Sequence, residues 1–316
     1  MAKSKKRSSK AYMEKLQKLI AQDLQEKSFS SLEEINKYIQ EKYADKELNF
    51  DEPKSLSKDK AQDLIYDAWE LDDPKKMISL AEKALKLDEN CADAYNILAQ
   101  HKAQTPEEAL ELYSRAIEAG KKTLGNGFEE YKGHFWGFYE TRPFMRAMSG
   151  YSFVLWDLGE ESRSIETLKE MIQLNPEDNQ GMRYDLITKL LIMNRLLEAE
   201  KLLKDYENDF TAVWQYSQAY LYFNKRSKQI YADKALKDAM EFNPYVPLYL
   251  FGLRDLPDKM PDYIGFGDEN EAISYVDEAM ELWAENKKAV QWFANLYRKM
   301  KDVLDKLIDD RESEMD

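Results

Sequence analysis

An all-α fold, a right-handed helical solenoid of irregular repeats, is what this chain predicts, and three observations predict it. Small residues and a tyrosine recur along one helix face, most plainly in Ala109-x-x-x-Tyr113-x-x-Ala116. Turn chemistry stands where successive helices must reverse: Asp73-Pro74, Thr105-Pro106, Gly159, Asn175-Pro176 and Asn243-Pro244. Glycine and proline are scarce overall, 11 and 9 in 316 residues, which argues against a turn-rich all-β chain.

The elements follow in order. Residues 1–10 carry Lys3, Lys5, Lys6, Arg7 and Lys10 with no apolar stretch behind them. They read as a disordered basic arm and not as a secretory signal. Tyr12, Leu16, Leu19, Ile20 and Leu24 share one helix face, and Ser30-x-x-Glu33 reads as a capping box opening a second helix with Leu32, Ile35, Tyr38 and Ile39. Residues 11–47 are therefore expected to be a helical hairpin. Residues 48–60 are polar, contain Pro53 and lack a period, and read as a linker.

From Ala61 the repeats begin, and residues 61–286 are expected to form the solenoid. Two helices in about 34 residues, small side chains at the crossing and a closing turn are the tetratricopeptide (TPR) pattern. The first unit runs from Ala61 to Asn90, with Ala81-x-x-Ala84 on its second helix. The second has Tyr95, Leu98 and Ala99, then the Ala109–Tyr113–Ala116 helix, opened by Thr105 as N-cap, Pro106 at the first helical position and Glu108 closing a capping box. Residues 120–137 interrupt the pattern with Gly125-Asn126-Gly127 and an aromatic run of Phe128, Tyr131, Phe135, Trp136, Phe138 and Tyr139. The third unit spans Met145 to Pro176. The fourth has Arg183, Leu186, Leu190, Ala199 and Leu203, and the fifth has Trp214, Ala232, Leu236 and Ala239. A second interruption, residues 254–267, precedes a helix with Ala272, Val276 and Ala279. Residues 287–308 carry a one-faced stripe of Ala289, Trp292, Phe293, Leu296, Met300, Val303 and Leu307, as a capping helix requires. Residues 309–316 read as an acidic tail.

Composition limits the function. Net charge is -14, which opposes general binding to nucleic acid or anionic membranes, since both need neutralising cations. Cys91 is the single cysteine and His101 and His134 are the two histidines, so an internal disulfide is excluded and no metal or other cofactor is expected. No apolar run approaches the roughly 20 residues that span a bilayer, and a cytoplasmic protein is expected.

One region is more particular than a generic repeat. Tyr139-Glu140-Thr141-Arg142-Pro143-Phe144-Met145-Arg146-Ala147 is followed by Leu155-Trp156-x-Leu158-Gly159 and by Leu174-Asn175-Pro176-x-Asp178-Asn179-Gln180-Gly181-x-Arg183-Tyr184. This resembles the suppressor-of-tumorigenicity-seven family of TPR proteins, and more closely its bacterial TPR relatives. Tyr263-Ile264-Gly265-Phe266-Gly267-Asp268-x-x-Glu271-Ala272 looks like the later segment of those relatives. The resemblance implies a TPR fold without catalytic activity and supplies no catalytic residues. Its eukaryotic members carry membrane-spanning segments, so their localisation does not transfer.

The candidate partner-binding residues are Arg142, Arg146 and Arg183 with Asn179, Gln180 and Tyr184. Arginines at equivalent places on successive first helices can converge, and a guanidinium fork grips a carboxylate or phosphate. The competing structural account pairs them with Glu140, Asp178, Asp185 or Glu170 to lock the repeats together. Asn96 and Gln100 resemble the amides that hold peptide backbones in TPR grooves, although no lysine pair accompanies them. The aromatic run reads either as a peptide pocket or as filler for the irregular repeat. Tyr216, Tyr220, Tyr222 and Phe223 could line a groove. His134 near Glu140 has no partnered nucleophile, so a structural role is expected. Gly265-x-Gly267-Asp268 lacks a phosphate loop's lysine, and Asp268 is expected to cap a helix.

The expected function is that of a non-catalytic scaffold holding a protein or peptide, acidic or C-terminal in character, in the groove of units two to four. The alternatives are an RNA-associated adaptor acting through residues 1–10, a homo-oligomer using the aromatic patch, and a hydrolase, which the scarcity of His and Cys disfavours.

Overall fold

The computed structural model describes residues 9–25, 27–29, 31–44, 56–225 and 229–315. Among these there are 15 α-helices and no strand, with 74% of the described residues helical, a TPR-like all-α architecture. The helices group into two compact units, Met1–Gln180 and Gly181–Asp316, where the sequence suggested one continuous repeat domain.

In the first unit, α1 (Lys10–Gln25) and α2 (Leu32–Tyr43) precede three helix pairs: α3 (Ser57–Trp69) with α4 (Pro74–Leu87), α5 (Ala92–His101) with α6 (Pro106–Leu124), and α7 (Arg142–Asp157) with α8 (Glu161–Leu174). The predicted caps operate. Asp73 accepts a hydrogen bond from Lys75 N at 2.9 Å with Pro74 in the first turn, and Thr105 Oγ1 accepts from Glu108 N at 3.3 Å. The cap of α2 differs by one residue: Ser31 Oγ accepts from Glu34 N at 3.2 Å, while Ser30 lies outside the described residues. Helix α3 begins at Ser57, inside the stretch expected to be linker, because Leu56 O accepts from Asp59 N and Lys60 N and starts the helix one turn early.

The Ala–Tyr–Ala signature explains how α6 meets α7. Ala116 is fully buried and Tyr113 is 6% exposed, and the tyrosine ring lies over Gly150 of α7. A Cβ on Gly150 would stand 2.2 Å from two ring atoms, so only glycine permits this crossing. The interruption after α6 is a packed insert. Helix α6 continues to Leu124, a 3₁₀ turn covers Gly125–Phe128, and Gly133 N and Phe135 N both donate to Leu174 O at the end of α8. Phe135 is fully buried against Phe128 and Phe144, with ring centroids 4.8 and 5.8 Å away. The aromatic run is therefore mainly filler for the irregular repeat, with Phe138 at its exposed edge.

The second unit holds α9 (Met182–Ile192), α10 (Leu196–Asp205), α11 (Ala212–Asn224), α12 (Gln229–Phe242), a short α13 (Val246–Leu250), α14 (Glu269–Ala284) and α15 (Lys287–Met315). The tyrosines offered as a groove lining mostly pack inward. Tyr216 stacks on Tyr275 and Phe293 at 5.3 and 5.7 Å, Tyr220 donates to Leu282 O, and Phe223 stacks on Trp292 at 4.6 Å. Asp268 caps α14, accepting from Glu271 N at 2.7 Å and from Gly265 N at 2.8 Å. Glu271 is a buried hub: it accepts from Ala212 N, Asn243 Nδ2 and Gly267 N, which ties the start of α11 and the end of α12 to the loop before α14. Burial pushes its carboxyl up while those donors pull it down, and burial prevails. Helix α15 runs to Met315, through the segment expected to be an acidic tail, because Arg311 is anchored on Gly267 O, Phe242 O and Glu241 O.

Candidate partner-binding site

The first helices of the three pairs in the first unit, α3, α5 and α7, present one shared face, and a polar ladder crosses it. Gln62 Nε2 of α3 donates to Asp93 Oδ2 of α5 at 3.1 Å. Arg146 of α7 forks onto the same carboxylate, with Nε to Oδ1 at 2.8 Å and Nη2 to Oδ2 at 2.6 Å. Asn96 Nδ2, one turn along α5, donates to Asp93 Oδ1 and to Pro143 O, both at 3.1 Å. Asp93 and Asn96 lie at i and i+3, so helical geometry alone puts both on one side of α5.

That face is covered by α1. Glu14 Oε1 receives Arg146 Nη1 at 2.5 Å, and Glu14 Oε2 lies 3.4 Å from Arg146 Nη2. The Arg146 side chain is 12% exposed, Glu14 6% and Asp93 1%, so a guanidinium is shared between two buried carboxylates. The indole of Trp69 lies under the guanidinium, 4.9 Å from its centroid. Burial alone would weaken the charge on Arg146, but Asp93 and Glu14 more than offset it and hold the group firmly protonated. Burial likewise pushes Asp93 up, and the attraction of Arg146 reverses this to hold it below the usual carboxylate range. Every residue from Ala92 to Ala99 is buried, so α5 has no solvent-facing side left along that stretch.

The rest of α1 continues the match. Lys18 Nζ pairs with Asp59 at 2.5 Å, Lys15 Nζ lies 3.8 Å from Asp67, and Lys10 Nζ sits 3.8 Å from the centroid of the Trp69 ring. On the opposite edge Arg142 bonds Gln17 Oε1 through Nη1 and Trp136 O through Nε at 3.0 Å. Burial lowers the affinity of Arg142 for its proton. The lysines of α1 thus face the acids of α3, while Glu14 and Gln17 face the arginines of α7.

The remaining sequence candidates are distributed differently from the expectation. Arg146 and Arg183 belong to separate compact units, and each is engaged within its own. Arg183 Nε donates to Asp209 Oδ2 at 2.8 Å and its Nη2 to Tyr184 Oη at 2.5 Å, while Tyr184 Oη donates to Asp209 at 2.9 Å. Burial pushes the Tyr184 phenol up to about 12, and the Asp209 charge adds to it. Asn179 is exposed and accepts from Asn175 Nδ2 at 3.4 Å; the Gln180 Oε1 atom is buried without a hydrogen-bond partner. Gln100 is exposed beside the Tyr113 hydroxyl. Asn96 is 5% exposed and holds α5 to the start of α7, with its Oδ1 unpartnered. His134 is exposed in the insert. Lys3, Lys5, Lys6 and Arg7 lie outside the described residues. Glu14 and Asp93 were not singled out from the sequence; the available signal for Asp93 was a lone acid among the small and apolar residues that open α5. Among the described residues no group of His, Cys, Asp and Glu could hold a metal, and no helix is long and apolar enough to cross a membrane.

No family model matches the chain. It is similar to the suppressor of tumorigenicity 7 protein-like of Gallus gallus, 23% identical over 243 residues covering 70% of this chain and 44% of that protein. The human counterpart is 24% identical over 245 residues, covering 70% and 42%, and the ST7 homolog of Caenorhabditis elegans is 23% identical over 289 residues, covering 79% and 53%. The likeness read from the sequence is thus the one the comparison returns, and the chain spans about half the length of these relatives or less. Among solved structures, YrrB, described as a TPR protein with an unusual peptide-binding site, aligns with a TM-score of 0.42 at 20% identity, covering 65% of this chain and 90% of that one.

Proposed function

We propose that this chain is a repeat scaffold without chemistry of its own, which binds a protein or peptide partner on the shared face of α3, α5 and α7 and grips an acidic side chain there. The observation that supports this is the Arg146 clamp. A guanidinium already oriented by a bidentate bond to Asp93 holds the carboxylate of a helix that is not part of any repeat pair. Preorganisation of this kind favours carboxylate recognition, because the arginine's rotamer and desolvation are settled within the repeats before any ligand arrives.

The test uses photo-cross-linking residues placed in the full chain in its native cell. Positions Gln100 and Phe153, exposed on α5 and α7, are compared with Lys83 and Glu111, exposed on the paired helices α4 and α6. A partner of one size captured from the first two positions and absent from the last two is the expected result. Equal capture from both sets would remove the face assignment.

A further inference from the structure

The shared face of α3, α5 and α7 is already covered by a helix of the same chain, α1. Its contacts are unlike those of a core helix. Among the described side chains of α1 only Ala11 and Glu14 are buried, Met13 is 44% exposed, and the apolar stripe Tyr12, Leu16, Leu19 and Ile20 is only partly covered. The helix is held by charge matching along two edges: Lys10, Lys15 and Lys18 against Trp69, Asp67 and Asp59, and Glu14 and Gln17 against Arg146 and Arg142. The Lys15–Asp67 pair is solvent-exposed on the acid's side and contributes little, whereas the apolar contacts within the repeat pairs and the bidentate Arg146–Asp93 bond between two of them do not depend on α1. When α1 leaves, Arg146 and Asp93 still neutralise one another, so the face remains a paired surface and no lone buried charge is stranded.

We infer that α1 is a displaceable internal ligand, and that the partner of this face is an amphipathic helix of another protein carrying the same pattern. That pattern is a small residue, a glutamate three positions on and a carboxamide three further, with lysines along the other edge, as in Lys10-Ala11-x-x-Glu14-Lys15-x-Gln17-Lys18. The small residue is the buried point of the helix, the glutamate enters the Arg146 clamp, the carboxamide meets Arg142, and the lysines meet Asp59 and Asp67. The two edges have opposite sign, so the face also fixes the direction in which a helix lies. This inference rests on the proposed binding role of the face and narrows it to helical ligands in competition with α1.

The experiment measures binding of a fluorescein-labelled, end-capped peptide of residues Lys10 to Gln25 to the full chain by anisotropy. Glu14→Lys in the chain sets a lysine against Arg146 and drives its own α1 off. The vacated face is expected to bind the wild-type peptide about tenfold or more tighter than the unsubstituted chain, because the competing internal state is lost. A peptide that itself carries Glu14→Lys is expected not to bind. Retained helicity and continued protection of the buried Cys91 thiol show that the variant is folded. Should it not fold, Lys15→Ala with Lys18→Ala, which loosens the edge contacts and leaves Glu14 in place, is expected to tighten peptide binding by a smaller factor. Equal peptide affinity of a folded variant and the unsubstituted chain overturns the inference, as does binding of the charge-reversed peptide. A dimer that forms at high concentration and is dissolved by excess peptide would make the occupant a second copy and overturn the assignment to another protein. Face-specific cross-linking without peptide binding would leave the binding role intact and remove the helix as its ligand.

Discussion

Replacing Gly150 by alanine tests whether the crossing of α6 and α7 is set by the Tyr113 ring. The added Cβ would lie 2.2 Å from the Cε1 and Cζ atoms of Tyr113, where carbon pairs rest at about 3.5–4.0 Å. The ring is 6% exposed, so it has no free space to rotate into, and the helices must part by about 1.5 Å. Overpacking on this scale costs about 3 kcal/mol, the upper end of the usual range. Alanine in place of glycine within a helix returns about 1 kcal/mol, leaving a net loss of about 2 kcal/mol. Cys91 supplies the assay. It is the single cysteine, it is 5% exposed in the core around Ala61, Ile65 and Ala94, and burial pushes its thiol up to about 12. Labelling by a thiol reagent therefore requires the first unit to open, and a loss of about 2 kcal/mol speeds labelling by roughly 30-fold. With Tyr113→Ala in the background the obstruction is gone, and Gly150→Ala should then slow labelling by up to about fivefold through helix propensity alone. The reasoning is refuted if Gly150→Ala accelerates labelling equally in both backgrounds, or slows it in the presence of Tyr113.

Two further outcomes are expected. Asp23 accepts hydrogen bonds from Lys42, Tyr38 and Tyr43 at 2.6, 2.5 and 2.8 Å, and these, led by Lys42, hold its carboxyl down to about 2. A depressed carboxylate contributes stability above its unfolded value of about 4 and loses it as the pH falls through about 2. Amides of α2 should therefore exchange faster in Asp23→Asn than in the unsubstituted chain at pH 5, with the ratio falling to unity below about pH 2; a ratio independent of pH would contradict the assignment. Arg311→Ala removes donors to Gly267 O, Phe242 O and Glu241 O, and should cost about 1–2 kcal/mol at this half-exposed site. Hydrogen exchange of the segment around residues 241–267 should quicken by roughly tenfold, and unchanged exchange there would show that α15 does not anchor the loop.

Local features of the fold were legible because they depend on neighbours in sequence. Asp73-Pro74, Thr105-Pro106 and Asp268 cap helices through bonds spanning two or three residues, and the repeats place Ala81, Ala84, Ala109 and Ala116 at buried crossings. The same logic misplaced the cap of α2 by one residue, since Ser30 and Ser31 offer the same hydroxyl and nothing local in the sequence tells them apart. It also read residues 309–316 as a tail, because composition there is acidic. The anchoring of Arg311 on carbonyls 44 and 69 residues away in the chain has no local signature.

The candidate site divides along the same line. Arg142 and Arg146 were visible as cations in an acidic chain, and the repeat pattern placed Arg146 on a first helix. Their ligands were not visible: Glu14 lies 132 residues before Arg146, and Asp93 lies 53 residues before it. By itself the sequence determined an all-α chain of paired helices, the positions of most turns, and the arginines around which the site is built. Tertiary structure alone decided that α1 fills the face those pairs present, and that Arg146 is shared between two carboxylates. Helix period fixes which side chains share a face; which face covers which depends on long-range packing and charge matching, and neither leaves a period in the sequence.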